Sequence, residues 1–249
     1  MLRKNTHKPN GISKLKEIPV EKFPKHVLII PDGDGRWARK LNKLPTFGHK
    51  KGYIVLQKII RKLQDLPINT LTVWGFSADN WKRSDGEVSG LMKILEAGIK
   101  EALPELIEKN VRFICLGRRD RIPKSLKKTI ENAEERTKNN GPKIFCTAID
   151  FSGLDQEIRM MEKVLKLPKN TEVGIDLIKN LRDGYNLITP ADLIIRTSGE
   201  QRTSDLGWLS QNSEFYSIKK LLPETSPNDF VLALLDYTKR ERRFGGRIK

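Results

Sequence analysis

The most informative stretch of the chain reads HVLIIPDGDGRWA and spans residues 26–38. Its first part, up to Pro31, is a short apolar run of the length expected for a buried strand. Its second part places two carboxylates among glycines in a turn that leads into a helix. In α/β proteins such a turn lies beyond the carboxyl end of a parallel strand, where these folds bind their ligands. The stretch therefore predicts both a fold class and the position of a ligand site.

The rest of the chain repeats this alternation of short apolar runs and amphipathic segments. Further strands are predicted at Thr70–Phe76, Val111–Leu116, Ile144–Ile149 and Leu193–Ile195. Helices are predicted near 48–65, 87–109, 123–138 and 153–166, with a last one through Phe230, Leu234 and Leu235. This alternation predicts an α/β protein with a central, mostly parallel sheet covered by helices on both faces. Without repeats or linkers, we expect a single domain at 25–249 after a basic extension at 1–24.

Length and composition exclude several classes of protein. The chain has 249 residues, of which 37% are hydrophobic and 31% charged, too apolar for disorder and too polar for an integral membrane protein. Its longest uncharged run, Leu66 to Ala78, is shorter than the ~18–20 residues that span a bilayer. No signal peptide is visible, and Cys115 and Cys146 lie in apolar runs without metal-ligand spacing. These features predict a cytoplasmic protein.

Positive charge is concentrated at the two ends of the chain. The formal net charge is +16, and residues 1–22 hold six Lys or Arg against two Glu. Residues 239–249 hold six Lys or Arg against one Glu. Basic ends suit nucleic acid, an anionic membrane surface or a phosphorylated substrate, and they also suit solvated tails. We expect no nucleic-acid partner, because the chain carries no nucleic-acid-binding motif. Peripheral membrane contact stays open.

Three polar segments follow predicted strands and should therefore face one cleft. They are Asp32–Trp37, Phe76–Trp81 and Arg196–Arg202. The first combines glycines, which let backbone N–H groups approach an anion, with a carboxylate that Mg²⁺ could bridge to phosphate. The third supplies two guanidinium groups and nearby Ser204, a set that suits a diphosphate. Each segment also has an ordinary interpretation, the first as a tight turn and the third as a solvated loop paired with Glu200.

Single polar and aromatic residues give weaker signals. His49 stands near the start of a predicted helix, where a lone histidine is more often a packing or surface residue than a catalyst. Asn80 beside Trp81 suggests a substrate contact, although Trp74 and Trp81 could equally belong to the core.

Five segments in this order resemble the cis-prenyltransferases, the family of undecaprenyl diphosphate synthase and isoprenyl transferase. The resemblance covers residues 25–247 and rests on several separate motifs, which makes it specific. The segments are HVLIIPDGDGRWA (26–38), FGHKKG (47–52), GFSADNWKRSDGEVSGLM (75–92), RTSGEQRTSD (196–205) and RERRFGG (240–246).

The resemblance implies an activity and an assembly. Members of the family use Mg²⁺ to join isopentenyl diphosphate to an allylic prenyl diphosphate, here farnesyl or geranylgeranyl diphosphate. The product would be a polyprenyl diphosphate with cis double bonds, used in lipid-carrier synthesis. The resemblance also implies a homodimer, with residues 240–246 near the partner's active site. An apolar tunnel would hold the growing chain, and its candidate lining, which could equally be ordinary core, is Leu91, Ile94, Leu95, Ile99 and Leu103.

The resemblance also assigns roles to individual residues. Asp32 would be the Mg²⁺-assisted catalytic carboxylate, Asn80 a second catalytic residue, and Glu214 a second metal ligand. The allylic diphosphate would be bound by Gly33, Gly35, Arg36 and His49, with Trp37 in the same substrate site. The diphosphate of isopentenyl diphosphate would be bound by Arg196, Arg202 and Ser204. The reacting carbons would lie close to Ser77, Asn80, Trp81 and Arg83.

Four positions depart from the family pattern. Pro31 replaces the usual Met, and Asp34 replaces the usual Asn. Pro45 stands where the family has a diphosphate-binding Arg, a loss for which Lys40 or Lys43 could compensate. Glu214 follows Ser204 by one residue less than is usual, which weakens its assignment. These changes bear on primer preference and product length.

Other functions compete with this interpretation. A haloacid-dehalogenase-like phosphatase would use Asp32 as nucleophile and Asp34 as acid and base, but it needs a downstream acidic pair where this chain has arginines. A non-catalytic partner subunit would be expected to lose the Asp32 turn, which this chain keeps. An irregular terpene coupling enzyme of the same fold, which joins two allylic units, is compatible with the changes at Asp34 and Pro45.

Overall fold

The computed structural model describes Leu15 and residues 17–246. Most of the predicted basic extension, residues 1–24, lies outside the described residues, as does the chain beyond Gly246. The peripheral membrane contact and the cytoplasmic location therefore stay predictions from charge and composition. Among the described residues, no helix combines the length and apolarity needed to cross a bilayer.

Six strands form one sheet in which every pair of neighbours is parallel, so the predicted mostly parallel sheet is confirmed. The strands are β1 His26–Ile30, β2 Thr70–Ser77, β3 Arg112–Leu116, β4 Ile144–Phe151, β5 Leu193–Arg196 and β6 Glu214–Ser217. Their order is β3-β4-β2-β1-β5-β6, which puts β1 inside the sheet between β2 and β5. The chain leaves β1 for β2 on one side and later returns to β5 on the other. In parallel sheets a ligand crevice forms at such a reversal, beyond the carboxyl ends of the strands.

Within the described residues, seven α-helices are complete, six lying between strands and the last after β6. They are α1 Asp34–Lys40, α2 Pro45–Gln64, α3 Asp85–Glu108, α4 Lys124–Thr137, α5 Gly153–Val164, α6 Ile175–Leu181 and α7 Pro227–Tyr237. The four long predicted helices and the last helix are all present, with ends within a few residues of the predicted ones. The sequence analysis does not predict the short elements α1, α6 and β6. Helices α1 and α6 are too short to show a repeat of apolar positions, and β6, unlike the equally short β5, is not a continuous apolar run.

The strands bury both of their faces, as a sheet covered on two sides must. In β1, Val27 and Ile29 pack into a core formed with α2, α3, α4 and α7, while Leu28 and Ile30 pack into a second core on the other face. Connecting segments close this second core through Ile188, Ala191, Leu206, Trp208 and Leu209. The same alternation buries Cys115 in the first core and Cys146 in the second, both as free thiols.

Candidate active site

A cleft of about 840 Å³ lies beyond the carboxyl ends of β1, β2 and β5. All three polar segments predicted to converge there contribute to its lining. The predicted site residues that line it are Asp32, Gly33, Gly35, Arg36, His49, Ser77, Asn80, Arg83, Arg196, Arg202 and Ser204. The side chains of Trp37, Trp81 and Glu214 are not part of this lining.

Asp32 occupies the turn after β1, and two hydrogen bonds fix that turn to the end of β5. The Asp32 N–H donates to Thr197 Oγ1 at 2.7 Å, and the Thr197 hydroxyl donates to the Asp32 carbonyl at 2.7 Å. The next residue, Gly33, has a φ of 107°, and a Cβ there would lie 2.8 Å from the side chain of Leu221. Only glycine fits this position without strain. The turn is therefore held in one conformation, with the Asp32 carboxylate facing the cleft.

Two guanidinium groups hold the Asp32 carboxylate. Arg36 Nη2 donates to Oδ1 at 3.1 Å, and the nearly buried Arg196 donates from Nη2 to Oδ2 at 2.9 Å. Burial disfavours the charge on Asp32, but the hydrogen bonds from Arg196 and Arg36 outweigh it and hold the pKa of this carboxyl below its usual value. Asp32 is therefore an ionised carboxylate, and 27% of its side chain remains exposed to the cleft.

The same guanidinium groups connect Asp32 to the 196–204 segment. Arg36 Nη1 donates to Glu200 Oε1 at 3.0 Å, and Arg196 Nη1 donates to Ser204 Oγ at 2.9 Å. Arg202 also forms an ion pair with Glu200. The predicted pairing of this segment with Glu200 is thus present. Arg202 lines the cleft, but its side chain is 64% exposed and Glu200 is not part of the lining, so this pair lies at the solvated rim of the cleft. Several cationic donors converge on one small space, which is the arrangement that binds phosphate groups.

His49 lies between two carboxylates. Its Nδ1 is 3.2 Å from Asp34 Oδ2, and its Nε2 is 2.9 Å from Glu87 Oε1. Burial disfavours the imidazolium form, but the two carboxylates more than offset this and raise the pKa of His49. Both ring nitrogens face carboxylate oxygens, an arrangement that favours the cationic ring, in which both nitrogens donate. Burial also raises the pKa of Asp34, one of whose oxygens, Oδ1, is buried without a hydrogen-bond partner.

A single turn of 3₁₀ helix, Ala78–Lys82, follows β2 and presents Asn80 to the cleft. Asn80 Oδ1 also accepts a hydrogen bond from the Ser77 N–H at 3.0 Å, which fixes the start of the turn. Trp81 points the other way. Its Nε1 donates to Asp150 Oδ1 at 2.8 Å, and its ring packs edge-on against Phe76 with centroids 5.1 Å apart.

Asp150 is a further residue of this region that the sequence analysis missed. It is fully buried at the end of β4 and has a φ of 52°. Its Oδ2 accepts a hydrogen bond from Arg121 Nε at 2.8 Å, so one carboxylate anchors both Arg121 and Trp81. No motif indicated this role, because the contacts join residues 29 and 69 positions apart in the chain.

The structure does not bring two predicted substrate-binding tryptophans into the cleft. Trp37 stacks on Phe47 with ring centroids 5.8 Å apart and an interplanar angle of 8°, which joins α1 to α2. The side chain of Trp81 leaves the 78–82 turn on the side away from the cleft, where it contacts Phe76 and Asp150. Both tryptophan rings pack on an aromatic neighbour, Trp37 on Phe47 and Trp81 on Phe76, so they support the walls of the cleft and do not line it.

Glu214 lies away from Asp32 within one chain. It is the first residue of β6 and stands in register with Leu193, which in turn pairs with Val27 near the start of β1. Asp32 follows the opposite, carboxyl end of β1. Glu214 Oε2 instead accepts a hydrogen bond from Arg240 Nη1 at 2.8 Å. The predicted sharing of a metal ion by Asp32 and Glu214 is thus not met inside a single chain, because the strand register separates them.

A cation that the sequence analysis does not suggest lines the cleft together with Pro45. Pro45 begins α2 and lines the cleft, but Lys40 forms an ion pair with Glu224 at 3.8 Å, and Lys43 is not in the lining. Arg39, in the last turn of α1, lines the cleft instead. Across residues 17–246, the Arg39 guanidinium forms no ion pair and no side-chain hydrogen bond.

An apolar cavity adjoins the cleft between α2, α3 and the sheet. This inner cavity has a volume of about 120 Å³ and is bounded on the sheet side by residues of β2 and β4 such as Val73 and Ile149. The residues that line both spaces are Tyr53, Leu56, Val73, Gly75, Ile94 and Leu95. Of the candidate tunnel residues, Ile94, Leu95 and Ile99 line the inner cavity, Leu91 lines the cleft, and Leu103 belongs to the core.

Comparisons with known proteins agree with this geometry. Residues 30–245 match the family model described as "Putative undecaprenyl diphosphate synthase". The chain is 38% identical over 245 residues to an isoprenyl transferase of Staphylococcus haemolyticus, covering 96% of this chain and 95% of the relative. It is 36% identical over 239 residues to a farnesyl-diphosphate-specific ditrans,polycis-undecaprenyl-diphosphate synthase of Micrococcus luteus, covering 94% and 96%.

A solved structure shows the same fold with a ligand bound. The chain superimposes with a TM-score of 0.83 and 30% identity on lavandulyl diphosphate synthase from Lavandula x intermedia in complex with dimethylallyl diphosphate. The match covers 90% of this chain and 99% of that one. These relatives give no support to a phosphatase that uses Asp32 and Asp34. With a cationic cleft, an adjoining apolar cavity and similarity over most of its length, this chain belongs to the cis-prenyltransferase family of undecaprenyl diphosphate synthase.

Proposed function

We propose that this protein condenses isopentenyl diphosphate with an allylic prenyl diphosphate, such as farnesyl diphosphate, and releases a longer polyprenyl diphosphate. The observation that carries the proposal is that two spaces adjoin and share six lining residues, a cleft rich in guanidinium groups and an apolar cavity beside it. A prenyl diphosphate has two parts of the same kinds, a polyanionic head and an apolar tail. Each part matches one space in charge and polarity.

The reaction places its largest demand on the departing diphosphate. The allylic C–O bond breaks, C1 of the allylic unit bonds to C4 of the isopentenyl unit, and a proton leaves isopentenyl C2. Negative charge gathers on the leaving group, so donors fixed in advance around it lower the barrier. We assign Arg36, Arg39 and His49, with the backbone at Gly33 and Gly35, to the allylic diphosphate. Arg196, Arg202 and Ser204 would bind the diphosphate of the isopentenyl unit.

We further propose that Asp32 holds Mg²⁺. The described residues contain no group of three or more metal-binding side chains, so the ion would depend on substrate oxygens and water for its other ligands. Mg²⁺ commonly binds in this way, through one or two carboxylates and substrate phosphates. The depressed pKa and partial exposure of Asp32 fit this role. Bound there, the ion would neutralise charge on the diphosphate.

The 78–82 turn would position the reacting carbons. Ser77, Asn80 and Arg83 line the cleft at and just beyond the carboxyl end of β2. Asn80 is proposed as the residue closest to the reaction centre, and Trp81 as a residue that positions it. Asp150 accepts a hydrogen bond from the Trp81 indole, so it too would help to position Asn80.

An elongation assay tests the proposed function. Purified protein with Mg²⁺, farnesyl diphosphate and labelled isopentenyl diphosphate should form longer prenyl diphosphates, and chelation of Mg²⁺ should stop the reaction. Asp32→Ala should abolish incorporation while the circular dichroism spectrum stays unchanged. Absence of incorporation with geranyl, farnesyl and geranylgeranyl diphosphates would refute chain elongation.

Irregular coupling of two allylic units is the second candidate, favoured by the similarity to lavandulyl diphosphate synthase. The same assay with dimethylallyl diphosphate as the only substrate separates the two candidates. A branched C10 diphosphate in that reaction would support coupling. Products that require isopentenyl diphosphate would support elongation.

We also propose that two copies of the chain associate through α5. Four large apolar residues lie along one exposed side of this helix and its C-terminal cap, at Leu154, Ile158, Met161 and Leu165, each 52–83% exposed. Their spacing gives a continuous apolar stripe, a feature that marks interaction surfaces. Glu214 begins β6, away from the carboxyl ends of the strands, and contacts Arg240. In a homodimer, Glu214 and residues 240–246 could serve the cleft of the second copy.

Sedimentation of a matched pair of variants tests this association. Ile158→Glu places a charge in the stripe and should convert a dimer into a monomer. Ile54→Glu makes the same change at an exposed apolar site on α2 and should leave the dimer intact. A wild-type monomer at micromolar concentration would argue against the homodimer.

A further inference from the structure

The passage from the cleft into the inner cavity is narrowed by two side chains that rest on glycines. Leu95 packs over Gly75, where an added Cβ would lie 2.8 Å from Leu95 Cδ2. Tyr53 packs over Gly98, where an added Cβ would lie 2.9 Å from Tyr53 Cε2. Both side chains line the cleft as well as the inner cavity. Of the six residues that line both spaces, Tyr53 has the largest side chain.

Tyr53 differs from the other residues that line both spaces because hydrogen bonds hold its side chain in place. Its hydroxyl donates to Glu101 Oε2 on α3 at 2.5 Å and accepts from Gln57 Nε2 at 2.5 Å. Gln57 Nε2 also donates to Glu101 Oε2 at 2.9 Å, so the three side chains form a closed polar cluster between α2 and α3. Burial and the Glu101 carboxylate raise the pKa of Tyr53, which keeps its hydroxyl protonated as a donor. Leucine and isoleucine side chains have no such tether and can change rotamer when an apolar tail passes.

Tyr53 is also placed where a bound tail would meet it. His49, at the edge of the cleft, lies one turn before Tyr53 in α2, and Pro45 lies two turns before it, roughly 12 Å along the helix axis. A tail that extends from a diphosphate in the cleft toward the inner cavity would run along the residues that line both spaces, of which Tyr53 is one. Movement of the ring away from Gly98 would break its hydrogen bonds to Glu101 and Gln57.

We infer that Tyr53 is a specificity-determining residue that limits how far the prenyl chain enters the inner cavity, and so shortens the product. This inference rests on the proposed function, because it takes the prenyl tail as the occupant of the inner cavity. Tyr53 acts through the size of its ring, and Glu101 and Gln57 act by holding the ring in place. None of the three touches the groups assigned to the diphosphates.

Product length measured in variants tests the inference. With farnesyl diphosphate and labelled isopentenyl diphosphate, Tyr53→Ala should lengthen the mean product by at least one isoprene unit. Tyr53→Phe keeps the ring but loses its tether, so it should shift the products in the same direction by a smaller amount. Ile54→Ala truncates the neighbouring residue, which is exposed and lines neither space, and should give wild-type products. If Tyr53→Ala does not fold, the Tyr53→Phe result decides.

A binding measurement keeps this test separate from the proposed function. Calorimetry with unreactive geranyl, farnesyl and geranylgeranyl thiolodiphosphates should show weaker binding of the longest tail to the wild type, and no such loss in Tyr53→Ala. If the wild type adds no isopentenyl unit, chain elongation fails and this second experiment still decides the role of Tyr53. Unchanged product lengths, or the same dependence on tail length in the wild type and Tyr53→Ala, would overturn the inference.

Discussion

At the scale of single residues, the cleft is organised by pairs of opposite charge. Arg36 and Arg196 hold Asp32, Arg83 donates to Glu87 at 3.0 Å, and Arg202 pairs with Glu200. These pairs keep each guanidinium in a defined orientation before a substrate arrives. A diphosphate can then exchange places with a carboxylate as the hydrogen-bond acceptor, at little cost in reorganisation.

Arg39 is the exception, since it lines the cleft without a carboxylate partner among the described residues. We expect Arg39→Ala to raise the KM for the allylic diphosphate, because a hydrogen bond to a charged group contributes about 1.5–3 kcal/mol. That free energy corresponds to a change on the order of 10–100-fold. Steady-state kinetics with farnesyl diphosphate as the varied substrate measures it.

Lys40→Ala is the matched control for this change. It removes a neighbouring cation that pairs with Glu224 outside the cleft lining, and it should leave KM as in the wild type. Equal KM values for Arg39→Ala and Lys40→Ala would show that Arg39 does not bind the allylic diphosphate.

The site residues that could be predicted are those whose position follows from the end of a strand. Asp32 and Arg196 are predicted to share one cleft because parallel strands end at the same edge of the sheet. In the structure, Arg196 Nη2 lies 2.9 Å from Asp32 Oδ2. The direction of Trp37 and Trp81 could not be predicted, since it depends on contacts with Phe47 and Asp150. Such contacts are set by packing and leave no local pattern in the sequence.

At the scale of elements, the close contact between α1 and α2 brings His49 to Asp34. A Cβ at Gly48 would lie 2.1 Å from the Asp34 carbonyl oxygen, so the helices can approach this closely only with glycine there. The contacting atom belongs to the Asp34 backbone, which cannot change rotamer to relieve the overlap as a flexible side chain could. Gly48 thus sets the distance between the first turn of α2 and the Asp32–Asp34 turn.

We expect Gly48→Ala to lower the free energy of unfolding by about 1–3 kcal/mol, the usual cost of overpacking. It should also lower kcat, because α1 and the Asp32 turn must move. Gly86→Ala in α3 is the matched control, since no atom lies within 4 Å of the added Cβ. That variant should be more stable than the wild type by up to about 1 kcal/mol, because alanine favours helix. Urea unfolding of both variants measures the difference, and a Gly48→Ala protein as stable as Gly86→Ala would contradict the packing argument.

Long helices and continuously apolar strands were the most predictable elements. Helices α2 and α3 have 20 and 24 residues, enough to repeat their apolar positions several times. β6 has four residues, and its side chains are all only partly buried. Its register, and with it the position of Glu214, depends on pairing with β5, which no pattern inside the segment specifies.

At the scale of the whole molecule, β1 joins the two cores and supports the cleft. The fold class could be predicted because a strand buried on both faces is continuously apolar, and β1 shows this plainly. His26, its first residue, is the one polar side chain in the strand. It is 1% exposed, and its Nδ1 donates to the Thr189 carbonyl at 2.8 Å while its Nε2 accepts from the Thr72 hydroxyl at 2.7 Å.

This buried histidine should make the stability of the molecule depend on pH. Burial lowers the pKa of His26 to about 4, against 6.5 for an ordinary histidine, although the Thr189 carbonyl and Asp192 oppose the shift. A histidine with a lowered pKa stabilises the fold fully above the unfolded value and loses that contribution as the pH falls toward the folded value. The loss should begin near pH 6.5 and reach about 3 kcal/mol at pH 4.

The His26 contribution can be separated from that of the acidic residues by comparing variants. Urea unfolding at pH 7 and pH 4 should show a smaller fall in stability for His26→Gln than for the wild type, by about 3 kcal/mol. His49→Gln should show a larger fall in stability between pH 7 and pH 4 than the wild type. The pKa of His49 is raised, so its charged form stabilises the fold below pH 6.5, and its removal steepens the loss in acid. Equal pH dependence in the wild type and His26→Gln would mean that the folded protein admits a proton at His26 as readily as the unfolded chain does, and that the start of β1 opens without unfolding the rest.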